Sequence, residues 1–351
     1  MNIHDFFIDE EITIKEAIKK LDEAGKKIIL ITKDAVLKGV ITDGDIRRWI
    51  LSNGDFTRKA KEIMNHNPVY LVCGEEHKAE DIMKRKFIEA IPIVNEEKEV
   101  VNIVFWNDFH DGELKTYNYI NCPVVIMAGG KGTRLHPFTK VFPKPLVPIG
   151  DIPIAERIIN KFVNFGCKKF YLTINYKKNL IKAYFNDLDK NYEVEYVEEE
   201  KPLGTSGSLY LLKDKIKEPF FVSNCDILIE ENYYKMLQFH MKNRNKITVI
   251  TSLKFFTVPY GVIELDEKSL IKEIVEKPEY EYLVNTGMYI LEPEVLSDIP
   301  ENEFYHITDL IKIYIENGER VGAYPVSDES WLDMGQFNEM EKMVERLGLQ
   351  Q

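Results

Sequence analysis

One stretch of the chain, a strand that runs into a nearly bare loop, constrains the fold more than any other. Residues 123–127, PVVIM, predict a buried strand, and the loop after it is built on Ala128, Gly129, Gly130 and Gly132. Four cations stand in the same region, namely Lys131, Arg134, Lys140 and Lys144. When a strand leads into a glycine-rich loop and then a helix, bare backbone N–H groups can point at anionic oxygens. The stretch therefore predicts a phosphate-binding site.

The order of residues in this loop argues against two well-known phosphate sites. A Walker A loop requires Gly-Lys-Thr, whereas residues 131–133 read Lys-Gly-Thr. The loop also lacks the G-x-G-x-x-G spacing of dinucleotide-binding enzymes, which disfavours a dehydrogenase. A rigid PKPL segment follows at residues 143–146 instead. The site predicted here is therefore of another kind.

Strand-like and helix-like segments alternate through the rest of the chain. Helices are predicted for RIINKFVNFG, LIKAYFNDL and SLYLLK, and strands for KKFYLTINY, VEYVEE and PFFVSNCD. Alternation of this kind is typical of an α/β fold whose mostly parallel sheet is covered on both faces. The closing segment FNEMEKMVERLGL predicts one amphipathic helix.

Composition limits the classes of protein to which the chain can belong. Its 351 residues are too many for one typical domain, and its net charge of −12 argues against a nucleic-acid surface. It has no apolar run long enough to span a membrane, and the acidic start MNIHDFFIDEE lacks the pattern of a signal peptide. The separation of Cys73, Cys122, Cys167 and Cys225 predicts free thiols. We therefore expect a cytoplasmic protein of two domains that binds neither membranes nor nucleic acid.

The first 110 residues contain a weak internal repeat with a spacing of roughly 60 residues. In the first copy, TIKEAIKKLDEAG predicts a helix, KIILIT and VLKGVI predict strands, and TDGD predicts a turn. In the second copy, HKAEDIMKRKF predicts a helix, AIPIVN predicts a strand, and VVNIVFWND predicts a strand that ends at Asp108. Two copies indicate a pair of similar halves packed face to face.

Residues 39–47, GVITDGDIR, resemble the closing signature of a CBS domain. Residues 1–115 are thus similar to a tandem CBS pair, or Bateman module, with copies at 1–55 and 60–115. The resemblance implies that Thr42 and Asp45 bind the ribose of an adenine or guanine nucleotide, since a carboxylate can accept both hydrogens of a ribose diol. The second copy keeps Asp108 but has Phe105 in place of the hydroxyl, so at most one such site is expected. A purely structural or dimer-forming module is the alternative.

The segment MAGGKGTRLHPFTKVFPKPL, residues 127–146, resembles the signature of the sugar-1-phosphate nucleotidyltransferases. Further landmarks occur in that family's order: KPLGTSG at 201–207, VSNCD at 222–226, YGV at 260–262, EKP at 276–278, NTG at 285–287 and WLDMG at 331–335. The resemblance covers residues 122–351, with 116–121 as a linker, and implies a Rossmann-like, GT-A-like domain. It also implies an enzyme that joins a nucleoside triphosphate to a sugar 1-phosphate and releases pyrophosphate.

The same resemblance implies roles for individual residues. The nucleotide would be bound by Ala128, Gly129, Gly130, Gly132, Thr133, Arg134, Gly204 and Thr205. Arg134 and Lys144 would act in catalysis on the phosphates, and Asp226 and Asp333 would hold Mg²⁺. Contacts to the sugar phosphate would come from Gly261, Glu276, Lys277, Asn285 and Thr286.

Two further resemblances imply the substrates. The PLGT loop at residues 202–205 is similar to that of guanylyltransferases such as mannose-1-phosphate guanylyltransferase. A CBS pair joined to a transferase domain resembles the glucosamine-1-phosphate guanylyltransferases of bacterial legionaminic acid synthesis. GTP and glucosamine 1-phosphate are therefore expected, with mannose 1-phosphate or a heptose phosphate as alternatives. A catalytically inactive, nucleotide-sensing subunit is the alternative of another class, and a homo-oligomer is expected.

Overall fold

The computed structural model describes residues 2–86, 88–109, 119–335 and 337–348, without the side chains of residues 107, 337 and 338. The chain forms two compact units, Met1–Tyr117 and Asn118–Gln351. Residues 116–118 of the predicted linker lie outside the described residues. Ile120, at its other end, belongs to the second unit and donates its N–H to the Phe165 carbonyl at 2.7 Å. No helix among the described residues is long and apolar enough to cross a membrane.

In the first unit, two three-stranded sheets repeat one arrangement, in which the middle strand has one parallel and one antiparallel neighbour. The strands are β1 (Phe7–Ile8), β2 (Ile28–Lys33) and β3 (Val36–Thr42), then β4 (Leu71–Val72), β5 (Ala90–Val94) and β6 (Val100–Phe105). The helices are α1 (Ile14–Ala24), α2 (Asp43–Leu51) and α3 (Ala79–Lys86), with 3₁₀ turns at Ile3–Phe6, Ala60–Glu62, Glu76–Lys78 and Trp106–Asp108. The predicted internal repeat is present, although its last strand ends at Phe105 and not at Asp108.

One hydrophobic core joins the two copies of this repeat. It contains Phe6, Ile28, Leu30 and Val40 from the first copy and Val94, Val100 and Ile103 from the second. Strand β3 also bonds to the β5–β6 turn, since the Leu37 N–H donates to the Lys98 carbonyl at 2.9 Å. The two halves therefore pack against each other, as the repeat predicts.

Capping residues fix where the first two helices begin. Thr13 and Glu16 form a capping box at the start of α1, which ends at Gly25 in the left-handed conformation, with φ 62°. Thr42 and Asp45 form a second capping box, so the TDGD segment begins α2. The prediction of a turn at TDGD was wrong because the same short polar side chains cap helices and stabilise turns.

The second unit is built on a sheet of seven of the described strands. In spatial order they are β11 (Glu193–Glu198), β10 (Lys169–Ile174), β7 (Val124–Met127), β12 (Phe220–Asn224), β17 (Glu279–Leu291), β14 (Ile247–Thr257) and β18 (Val321–Val326). The pairings of β17 with β12 and β14 are antiparallel, and the other four are parallel. The expected α/β fold with a mostly parallel sheet is confirmed.

Helices and short ladders complete this unit. The helices are α4 (Phe138–Val141), α5 (Ile154–Asn164), α6 (Lys178–Asp187), α7 (Tyr233–Asn243), α8 (Ile307–Glu316) and α9 (Phe337–Arg346). The ladders join β8 (Pro148–Ile149) to β9 (Ile152–Pro153), β13 (Ile227–Ile229) to β19 (Trp331–Asp333), and β15 (Val262–Leu265) to β16 (Ile271–Val275). The segments Thr133–Leu135, Lys144–Leu146, Gly207–Leu212 and Pro293–Asp298 are 3₁₀ helices. SLYLLK is thus a 3₁₀ segment and not the predicted α-helix, because so short a stretch gains little from an α-helical ladder.

Candidate active site

Two adjacent parallel strands end at the same edge of the sheet, and each leads into a predicted site loop. β7 leads into the glycine loop, and β12, which pairs with β7 as far as Asn224 and Met127, leads to Asp226. In open α/β sheets, ligands bind beyond the carboxyl ends of the strands. The strand order thus brings Asp226 to the edge at which the glycine loop begins.

A short antiparallel ladder brings the second predicted metal aspartate to the same place. Ile227 of β13 pairs with Asp333 of β19, and the Met334 N–H donates to the Asp226 carbonyl at 2.8 Å. The Gly335 N–H donates to Asp333 Oδ1 at 2.7 Å and so fixes the orientation of that carboxylate. Two aspartates that are far apart in the sequence therefore lie side by side.

Lys144 lies against the first of these aspartates. Its ammonium forms an ion pair with Asp226 Oδ2, and only 13% of the Lys144 side chain and 9% of the Asp226 side chain are exposed. The segment Lys144–Leu146 is a 3₁₀ turn that follows Pro143 and contains Pro145, two residues with restricted backbones. The structure therefore joins two of the predicted site residues in one buried contact.

The electrostatics of Asp333 connect it to the other charged groups of the site. Burial raises the pKa of the Asp333 carboxyl, and the negative charge of Asp226 raises it further. The Gly335 N–H and the positive charges of Lys144 and Arg134 act in the opposite direction. Arg134, an exposed residue, thus belongs to the same group of interacting charges.

The glycine loop is held from behind by hydrogen bonds. The Ala128 N–H donates to the Thr173 carbonyl at 2.9 Å, and the Thr139 hydroxyl donates to the Gly132 carbonyl at 2.8 Å. The helix predicted after this loop is reduced to the 3₁₀ turn Thr133–Leu135 and the four-residue α4. Pro137 and Pro143 explain this difference, because proline lacks the N–H that a continuing helix needs. Anion binding here would depend on loop N–H groups rather than on a long helix dipole.

Glu199 lies beside the loop and is a residue that the sequence analysis missed. A β-carbon built on Gly129 would lie 2.7 Å from Glu199 Oε1, and Oε2 accepts the Leu203 N–H at 3.3 Å. The residue is 6% exposed, and burial raises the pKa of its carboxyl. In the sequence it stands within the acidic run of residues 198–200. Its position as the last residue of the predicted strand VEYVEE was the sequence signal that could have identified it.

Gly204 and Thr205 anchor the next loop to the start of α8. Gly204 has φ 80°, and a β-carbon there would lie 2.5 Å from the Tyr305 carbonyl oxygen. The Thr205 hydroxyl accepts the Ile307 N–H at 3.0 Å. These contacts fix the loop that follows Leu203, whose N–H binds Glu199.

Three of the predicted sugar-phosphate residues meet at the base of the β15–β16 hairpin. A β-carbon on Gly261 would lie 2.9 Å from Glu276 Oε2, and the Lys277 N–H donates to the Tyr260 carbonyl at 3.3 Å. The side chains of Glu276 and Lys277 are exposed and can therefore meet a ligand. Among the described residues, these contacts stay within the hairpin and do not reach the Lys144–Asp226 pair.

Asn285 and Thr286 lie on β17, where the register with β14 shifts. Asn285 donates to the Tyr289 hydroxyl at 2.7 Å and accepts the Gly287 N–H at 2.9 Å. Thr286 is buried, and its hydroxyl donates to the Ile250 carbonyl at 2.8 Å. The Thr286 hydroxyl is thus used inside the protein.

The site offers a metal two carboxylates rather than a complete protein cage. In the part of the chain that the structure describes, no group of three or more His, Cys, Asp or Glu residues is arranged to hold a metal ion. Mg²⁺ is usually held by one or two carboxylates together with substrate phosphates and waters. Asp226 and Asp333 therefore fit a Mg²⁺ ion that shares its coordination with a triphosphate.

In the first unit, the two predicted nucleotide residues also meet. The N–H and hydroxyl of Thr42 donate to Asp45 Oδ2 at 2.9 and 2.6 Å, and Arg48 pairs with the other oxygen. In the second copy, Asp108 accepts the Phe105 N–H at 2.7 Å, and Phe105 packs against the shared core. The position of the missing hydroxyl is thus taken by a core side chain.

Comparisons with known proteins match two families to separate parts of the chain. The nucleotidyl transferase family model matches residues 123–348, and the CBS domain model matches residues 1–52 and 60–110. The bifunctional protein GlmU of Methanococcus maripaludis is 36% identical over 208 residues, which cover 57% of this chain and 48% of that protein. Mannose-1-phosphate guanyltransferase of Saccharomyces cerevisiae is 33% identical over 223 residues, which cover 60% of this chain and 61% of that protein. The chain thus spans about half to three fifths of these curated relatives.

A solved structure extends the comparison. The crystal structure of HddC from Yersinia pseudotuberculosis, complexed with GMP-PN, matches with a TM-score of 0.51 and 25% identity. The match covers 64% of this chain and 99% of that chain. The family match at residues 123–348 includes the glycine loop, Lys144 and both aspartates. This chain, which also carries a CBS domain pair, therefore belongs to the nucleotidyl transferase family.

Proposed function

We propose that the transferase domain, residues 122–351 within the second unit, transfers a nucleotidyl group from a nucleoside triphosphate to a sugar 1-phosphate and releases pyrophosphate. The observation that carries this proposal is the meeting of Lys144, Asp226 and Asp333 at the sheet edge where the glycine loop begins. Nucleotidyl transfer between two phosphate anions requires groups that hold and neutralise negative charge. The site offers bare N–H groups, cations and two carboxylates for a metal ion.

The proposed reaction forms one bond and breaks another at the α-phosphorus. A phosphate oxygen of the sugar attacks in line, and the bond to the oxygen of the β-phosphate breaks, so that pyrophosphate leaves. That attacking oxygen is already an anion, so no residue has to remove a proton from it. Arg134 would bind two phosphate oxygens and Lys144 the α-phosphate, which makes this catalysis by positioning and charge. Bound at Asp226 and Asp333, Mg²⁺ would supply further positive charge to the phosphates.

The triphosphate is assigned to the loop from Ala128 to Thr133. A β-carbon on Gly130 would have no other atom within 4 Å, so the outer side of the loop is open. Thr133 and Arg134 are also exposed at this end. These features suit phosphate oxygens that approach the N–H groups of the loop from outside.

We propose that the nucleotide is GTP, and Glu199 supports this choice. Guanine presents two neighbouring N–H donors on one edge, and a carboxylate has two oxygens to accept them. Glu199 is buried between the glycine loop and the loop of Gly204 and Thr205, which we assign to the base. HddC, a structural relative, was crystallised with GMP-PN. A carboxylate in this position would discriminate against bases without that pair of donors.

For the acceptor we propose glucosamine 1-phosphate, bound by Gly261, Glu276, Lys277 and Asn285, with the buried Thr286 beside Asn285 on β17. Lys277 would bind the phosphate, and the exposed Glu276 beside it suits the ammonium group of an amino sugar. The joining of a CBS pair to this domain supports legionaminic acid synthesis as the pathway. Mannose 1-phosphate is the alternative acceptor.

The test is pyrophosphate release in the presence of Mg²⁺, measured for four nucleoside triphosphates against several sugar 1-phosphates. We expect the highest kcat/KM for GTP with glucosamine 1-phosphate. Higher activity with another pair would overturn the proposed substrates but not the reaction. If no pair reacts and the protein is shown to be folded, the enzyme proposal fails and the nucleotide-sensing alternative replaces it.

For the CBS pair, residues 1–115 within the first unit, we propose that an adenine or guanine nucleotide binds at Thr42 and Asp45. Asp45 is held by Thr42 and Arg48 at the start of α2, so its carboxylate is oriented before a ligand arrives. Calorimetric titration of the full chain with AMP tests this site without the triphosphate that the second unit requires. Homo-oligomer formation is proposed as well and is tested by sedimentation equilibrium.

A further inference from the structure

The ion pair between Lys144 and Asp226 joins two groups that the proposed function assigns to different ligands. Asp226 is assigned to the metal ion, and Lys144 is assigned to the α-phosphate. In the structure each group instead neutralises the other, and both side chains are largely withdrawn from water. The inference below rests on the proposed function and concerns the state of the site before substrates bind.

The surroundings of Lys144 hold its ammonium in this position. A β-carbon built on Gly132 would lie 2.9 Å from Lys144 Cβ and 3.3 Å from Lys144 Cδ, so the stem of Lys144 lies close to Gly132, and Pro145 restricts the chain beside it. Gly132 and Pro145 therefore restrict the position of the Lys144 side chain. It is not an exposed lysine that happens to meet an acid.

A free divalent cation meets an obstacle at this pair. To bind Asp226 it must approach an ammonium at contact distance, and like charges repel strongly where water is excluded. Lys144 can withdraw only by leaving Asp226, its one ion-pair partner among the described residues. When a cation takes Asp226, the Lys144 ammonium is left without a counter-charge, and binding of the cation must offset that energetic cost.

A nucleoside triphosphate changes this balance. Its phosphates offer Lys144 a new anionic partner, and they also supply oxygen ligands to the metal. We propose that Lys144 keeps the metal position at Asp226 closed in the free protein and that triphosphate binding opens it. Divalent cations then bind at Asp226 and Asp333 only together with nucleotide.

The experiment titrates the full chain with Mn²⁺ in the absence of nucleotide and measures free Mn²⁺ by electron paramagnetic resonance. Lys144→Met removes the blocking charge while keeping an unbranched chain, and Lys144→Gln is measured in parallel as a second neutral variant. Lys144→Arg keeps the charge. Lys140→Met removes an exposed cation of the same loop region and is the matched control.

We expect the wild type, Lys144→Arg and Lys140→Met to bind Mn²⁺ weakly and both neutral Lys144 variants to bind at least tenfold more tightly. Adding Asp226→Asn to Lys144→Met should abolish the gain. Equal Mn²⁺ affinity in the wild type and both neutral variants would overturn the proposal, as would a gain that survives Asp226→Asn. The Mn²⁺ titration measures binding and not turnover, so its outcome is independent of the pyrophosphate-release assay. If the wild type is active in that assay but the Mn²⁺ affinities are equal, this inference is refuted and the proposed function stands.

Discussion

A β-carbon built on Gly132 would lie 2.9 Å from the Cβ of Lys144 and 3.0 Å from the Cγ2 of Thr139. Gly132 also has φ 62°, in the left-handed region that side chains disfavour. One glycine thus lets the phosphate loop close against the lysine that pairs with Asp226. A side chain at this position would be strained in its backbone and would push Lys144 away.

Gly132→Ala should therefore reduce both stability and activity. We expect a loss of about 2–3 kcal/mol in the free energy of unfolding, from left-handed strain and overpacking together. Displacement of Lys144 should lower kcat/KM by about 100-fold. Gly318→Ala is the matched control, because Gly318 has φ 73° but open space around its β-carbon position. It should lose only about 1–2 kcal/mol and keep its rate of pyrophosphate release. Equal effects of the two substitutions would refute the role of close packing.

Asp226→Asn should almost abolish turnover. The change removes a metal ligand and leaves the Lys144 ammonium without its counter-charge, so kcat should fall by about 100- to 1,000-fold. Chelation of Mg²⁺ should stop the wild-type reaction, and added Mg²⁺ should restore it. Asp214→Asn makes the same chemical change at an exposed position and should leave the rate unchanged. A fully active Asp226→Asn enzyme would remove this residue from the proposed metal site.

Glu199→Gln should lower selectivity for GTP. The amide keeps the volume of the side chain but places an NH₂ group against one of the guanine donors, so kcat/KM for GTP should fall about 10- to 100-fold. The value for ATP should change little, which separates loss of recognition from loss of folding. Glu198→Gln, on the exposed neighbouring residue that pairs with Lys178 and Lys182, is the control. An unchanged ratio of GTP to ATP activity would rule out a contact between Glu199 and the base.

His240 predicts how the stability of the second unit changes with pH. The residue is fully buried, and burial lowers the pKa of its imidazole to about 4, although Glu294 acts in the opposite direction. The unfolded chain, with a His pKa of about 6.5, binds a proton that the folded chain does not, so stability falls as the pH drops below 6.5. At pH 5 the wild type should have lost about 2 kcal/mol through this residue.

Urea unfolding of the wild type and His240→Gln at pH 7 and pH 5 isolates this contribution, since other titrating groups are common to both. His240 accepts or donates one bond with the Thr248 hydroxyl at 2.8 Å, so the variant should be less stable at pH 7. The loss between the two pH values should be smaller in the variant. Parallel pH curves for the two proteins would contradict the prediction.

Thr42→Ala and Thr13→Ala make a matched pair in the first unit. Each removes the hydroxyl of a capping box and should cost about 1 kcal/mol in the stability of this unit. Only Thr42→Ala should also weaken AMP binding, because Thr42 orients Asp45 while Thr13 caps a different helix. Titration calorimetry on the full chain measures both variants. Equal AMP affinities would exclude the ribose site at Thr42.

Local features of this chain could be predicted from the sequence, because short segments determine them. The helix TIKEAIKKLDEAG appears as α1, with apolar spacing, an N-terminal capping box and a terminal glycine all present in the same few residues. The mostly parallel sheet could be inferred too, since alternating segments leave few other topologies. The helical start at TDGD could not be predicted, because the same short polar residues occur in turns and at the first positions of helices.

The contacts that assemble the site could not be predicted from short segments of the sequence. Lys144 and Asp226 are far apart in the chain and meet only because β12 lies beside β7. Glu199 was missed because an acidic run usually marks a solvated surface, whereas the end of β11 turns one of its members inward. Periodicity reports which face of an element is buried, but not which strand ends lie together.

The ladder between β13 and β19 also has a consequence for the timing of synthesis. It pairs Ile227 with Asp333, so the second carboxylate is supplied by a segment translated about a hundred residues after the first. At roughly 5–20 residues per second, the ribosome needs roughly 5–20 s to cover that distance. During that interval the nascent chain already contains its glycine loop, Lys144 and Asp226, but not Asp333. A complete site can therefore form only after β19 has been translated and has paired with β13.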